Sequence, residues 1–182
     1  MSKCPICDFP SSDVQGLLAR LQDSSLLVNL ACDFAGRVVN LVPDPACATA
    51  WLDAARGELT EDEALRIANE AKEAFWEAES QEGKITGWPS PRVWAANAIW
   101  SVCTACVAVA GRREARQVEA VKASVSRSWA IKAAEEAAKA SGRPSYERAW
   151  QLKQIASRAC ICVTLIAPNP TDPRLRTSLL AS

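Results

Sequence analysis

The sequence predicts an all-α protein, a single-domain helical bundle of about seven helices with a long buried central helix and irregular termini. Three observations carry that expectation. From Asp44 to Ile166, apolar residues recur at three- and four-residue spacing in an alanine-rich background, the period of an amphipathic helix. Proline and glycine punctuate this stretch where helices should start and stop. No segment has the sustained alternation or the β-branched density that a sheet requires. The bundle is expected over residues 11–167, between an irregular Cys-x-x-Cys head (1–10) and a proline-containing tail (168–182).

The elements follow in order. Ser11 or Ser12 caps a short helix through Leu21, with Leu17, Leu18 and Leu21 inward. Ser24 or Ser25 caps a second helix to about Val42, ended by Pro43 and Pro45. A third helix spans about Pro45 to Arg56 and stops at Gly57, the residue type that best tolerates a left-handed terminus. Thr60 with Glu63 forms a capping box and opens a fourth helix to about Ser80. Its inward stripe is Ala64, Ile67, Ala68, Ala71, Phe75 and Ala78. After a loop at Gly83 to Pro91, Ser90 and Pro91 fit the cap and first turn of a fifth helix, which Gly111 breaks. The sixth runs to about Ala140 with Val118, Val121, Val125 and Trp129 inward. The seventh begins at Ser145 and carries Leu152, Ile155, Ala159, Cys162, Val163 and Ile166 on one face.

Composition narrows the function classes. Hydrophobic residues make up 49% and charged residues 23% of 182 residues, as in ordinary globular domains. Twenty-one basic and 21 acidic residues cancel, so no global field draws the chain to nucleic acid or anionic lipid. Met1 to Pro10 lacks the basic start and apolar run of an export signal. Eight cysteines without such a signal point to reduced thiols and a cytoplasmic location. Val93 to Ala110 contains no charge, but Asn97, Ser101 and Thr104 interrupt it and arginines flank both ends. A spanning helix needs about 20 strongly apolar residues. We read this segment as the central helix of the bundle, apolar all round because neighbours surround it.

Candidate chemistry is sparse. The chain has no histidine, which removes the usual general base and the commonest metal ligand. It also lacks the glycine-rich phosphate loop and the Gly-x-Ser-x-Gly elbow. No catalytic residues are assigned, and the expected class is non-enzymatic. Cys4 and Cys7 form a Cys-Pro-x-Cys knuckle suited to zinc, and Cys103 and Cys106 repeat the spacing. The second pair lies inside an apolar helix, where free cysteine acts as a small hydrophobe. Cys160 and Cys162 point to different helix faces and cannot chelate together. Zinc at Cys4 and Cys7 is therefore the cofactor option, against no cofactor at all.

Surface charge is more informative. Ten acids stand against three bases between Asp53 and Glu82, and eleven bases against five acids between Arg112 and Arg158. Glu63, Glu70, Glu73 and Glu77 share one helical stripe, either a solvated face or a negative patch for a basic partner. Most of the seven tryptophans read as core fillers. Trp76, which departs from its helix's inward stripe, and Trp88, in the loop before Pro89, are the expected exposed anchors.

Leu30-Ala-Cys-Asp-Phe-Ala-Gly-Arg-Val38, followed by Ala54-Ala-Arg-Gly-Glu-Leu-Thr-Glu61 and Glu63-Ala64, resembles the immunity proteins of bacterial polymorphic-toxin loci. The likeness covers about residues 26–78, and Trp51 precedes the Ala-Ala-Arg-Gly-Glu element. The family's later helices are rich in Ala-His motifs. This chain has none, and carries Cys103 and Cys106 in the comparable helix. The resemblance implies an all-helical inhibitor that binds a toxin in the producing cell, and it implies no binding residues. Three classes result: an inhibitor that docks on a toxin or a host-defence complex, a zinc or thiol protein using Cys4 and Cys7, and a nucleic-acid-associated protein using the basic 112–158 region.

Overall fold

The computed structural model describes residues 13–42, 44–57, 59–86, 89–110 and 116–159. Among these are seven α-helices and no strand: α1 Val14–Leu18, α2 Ser24–Gly36, α3 Pro45–Arg56, α4 Glu61–Thr86, α5 Pro91–Ala110, α6 Arg116–Ala140 and α7 Pro144–Ala159. A single 3-10 turn, Val39–Leu41, follows α2. The chain is an all-α helical bundle, as its periodicity predicts.

Most helix starts are set by a side chain that accepts the first free amides. Asp13 takes the amides of Gln15 and Gly16, Asp23 that of Leu26, and Asp44 that of Ala46. Aspartates thus do at α2 what the sequence assigned to Ser24 or Ser25; Ser24 is buried inside the helix. The Thr60–Glu63 capping box forms as expected, with the Thr60 amide 2.8 Å from Glu63 Oε2 and the Glu63 amide 3.3 Å from Thr60 Oγ1. Ser90 Oγ receives the Arg92 amide at 3.2 Å, and Gly57, at φ 70°, follows α3.

Three boundaries differ from the sequence reading. The first helix stops at Leu18, although Leu21 is still buried. The second stops at Gly36 instead of Val42, because glycine and the β-branched pair Val38–Val39 all disfavour another turn. The fourth runs past Ser80 and through Gly83 to Thr86; one glycine costs a helix only about 1 kcal/mol. Ser11 and Ser12, the expected extension of α7 to Ile166, and the proline tail lie outside the described residues.

Packing places α5 at the centre, against α2, α3, α4 and α6. It runs antiparallel to α6: Lys139 lies over the Trp94 ring at one end, and Lys122 Nζ is 3.2 Å from the Val109 carbonyl at the other. The α4–α5 connection is short, and Phe75 stacks on Trp100, so this pair is antiparallel too. On the opposite side α2 crosses α5 and α6, while α7 closes against α6, α1 and α2. Phe34, Leu27, Leu30, Ile67, Ile99 and Ile155 are fully buried. Each contributes about 1.5–3 kcal/mol of transfer free energy.

Helix α6 corrects the expected inward stripe. Its buried face is alanine, with Ala123, Ala130, Ala133, Ala134 and Ala137 at 0–2% exposure. Val121 is 62% and Val125 38% exposed, and Trp129 is half-buried; the Val118 side chain lies outside the described set. Two stripes of similar spacing compete here, and the small one wins because alanine lets α5 and α6 approach closely, whereas valines would hold the axes apart. Helix α5 is long and apolar enough to cross a membrane, with mean hydropathy 1.7, and 61% of its apolar window is buried within the bundle. It is not enclosed on every side, since Trp100, Thr104 and Val107 stay half-exposed.

Candidate partner-binding surface

The segment from Leu30 to Val38 and the tryptophan that follows it at position 51 do structural work. Trp51 on α3 donates its indole N–H to the Cys32 carbonyl at 3.0 Å. A Cβ on Gly36 would stand 2.7 Å from Trp51 Cζ2, so the glycine admits the ring between α2 and α3. Asp33 receives Arg158 Nη2 at 2.8 Å, and Arg37 reaches Glu147 at 3.5 Å while lying over the Trp150 ring. These residues join α2 to α3 and α7.

Helix α4 carries five of the six expected partner-binding residues, and it divides them. Successive residues turn about 100° around a helix. With Ala64, Ile67, Ala68, Ala71 and Ala74 buried inward, Glu63, Glu70 and Glu77 fall on the flank that adjoins α3. Arg66 on that flank is 3.2 Å from Asp53 of α3 and 2.7 Å from Glu70. Hydrogen bonds from the Thr60 hydroxyl and amide hold the Glu63 carboxyl below its ordinary range. Glu77 accepts from Gln81 at 3.0 Å. Glu73 is exposed at the middle of the outer face, with no ion-pair partner among the described residues. The row ends at a cleft of about 330 Å³ between α4, Val42 and the start of α5. Asp44, Glu77 and Glu82 line it, with Arg92 as the one cation among the described residues, and Glu82 Oε2 is buried without a hydrogen-bond partner among them.

Trp76 turns to the other flank. It is 54% exposed and tilts against Phe75, with ring centroids 5.6 Å apart. Phe75 stacks on Trp100 at 5.4 Å, Trp100 meets Trp129 at 6.0 Å, and Lys132 Nζ lies 5.0 and 5.1 Å from those two rings. The anchor is therefore set apart from Glu63, Glu70 and Glu77, whereas Glu73, three residues before it, lies beside it on the outer face. Trp88 lies outside the described residues. Trp51, Trp94, Trp100, Trp129 and Trp150 are half-buried against the core.

The acidic and basic halves of the chain do not cancel by pairing α4 with α6, because α5 stands between them. The bases of the second half serve separate tasks. Arg127 donates to the Leu21 carbonyl at 2.9 Å, Lys122 to that of Val109, and Lys139 pairs with Glu136 at 3.4 Å.

Cys32, Cys47, Cys103 and Cys106 are buried and free, drawn from α2, α3 and α5. Burial pushes the thiols of Cys47 and Cys106 up to about 12 and raises those of Cys32 and Cys103 well above the ordinary thiol range. Protonated thiols are poor nucleophiles and poor metal ligands. Among the described residues, no group of three or more Cys, Asp or Glu side chains is arranged to hold a metal ion. Cys4, Cys7, Cys160 and Cys162 lie outside those residues. Comparison with protein-family models, curated proteins and solved structures finds no match.

Proposed function

We propose that this chain is a non-catalytic, immunity-type protein that neutralises another protein, a cognate toxin or a host-defence complex, by docking through the acidic outer face of α4. One observation carries the reading. The carboxylates of Glu70, Glu73 and Glu77 stand at the surface beside a cleft edged by Asp44 and Glu82, and the chain's own basic helix is held away from them by α5. A row of this kind meets a basic surface with gains in association rate and selectivity. The helical resemblance over residues 26–78 supports the same class.

The test takes the product of the neighbouring open reading frame as bait, or the protein captured from the native cell. Glu70→Lys with Glu73→Lys should abolish capture and protection while the helical circular dichroism is retained. Undiminished capture by that double variant would exclude this face.

A further inference from the structure

No further inference is drawn: the strongest candidate, the cleft between α4, Val42 and the start of α5, belongs to the acidic surface already described, and beyond its cluster of carboxylates nothing in the structure shows what would occupy it.

Discussion

Gly36 is the residue on which the α2–α3 contact turns. Its backbone is helical, so the glycine is required by the Trp51 ring above it and not by conformation. Gly36→Ala should destabilise the fold by about 1–3 kcal/mol through overpacking, read as a lowered midpoint in thermal or urea unfolding. Alanine's better helix propensity is worth at most about 1 kcal/mol in the other direction. An unchanged or raised midpoint would mean that Trp51 packs elsewhere. Glu147 supplies a second test. It is 2% exposed; burial raises its carboxyl above the ordinary value of 4.5, and the facing Arg37 guanidinium opposes that shift. Glu136 on α6 is raised for the same first reason, with Lys139 opposing. Between 4.5 and the raised values, the folded chain holds protons that the unfolded chain has released, so stability falls as pH rises through that window. Melting curves recorded from pH 4 to 8 (a range of roughly that width brackets carboxyl titration) should show this slope. Glu147→Gln should flatten part of it, and an identical slope in the variant would refute the assignment.

At the scale of the element, α6 separates what the sequence shows from what it hides. The helix itself, its end at Ser141–Gly142 and its alanine content were all legible. Its rotation was not. Val121, Val125 and Trp129 recur at four-residue spacing, as do Ala123, Ala130, Ala134 and Ala137 at near-helical spacing, and hydrophobicity favours the first set. The choice is made by the neighbouring axis, since the close contact with α5 admits only the smaller side chains. A pair of substitutions tests the phase. Ala130→Val should cost about 1–3 kcal/mol, whereas Val125→Ser at the surface should change stability by less than about 0.5 kcal/mol. The reverse order would restore the valine stripe to the core. Helix α4 shows the same limit for the site. Its inward stripe and capping box follow from spacing, and so does the acidic row. That Trp76 lies on the other flank from Glu63, Glu70 and Glu77 follows from phase as well, once the buried stripe is fixed. The rings beyond its neighbour Phe75, Trp100 and then Trp129, come from other helices, and nothing local in the sequence announces them.

For the whole molecule, the arrangement of α4, α5 and α6 gives a single explanation of the charge and the apolar surface. Helix α5 keeps the acidic and basic halves apart, leaves the carboxylates of α4 open on one flank, and forms the floor of the aromatic face on the other. The most direct measurement is partner capture by Glu70→Lys/Glu73→Lys, with Val121→Glu/Val125→Glu, exposed on α6, as its control. The account predicts that the first variant stays folded and loses the partner, and that the second keeps it. Capture retained by the folded first variant, or lost by both, would contradict it.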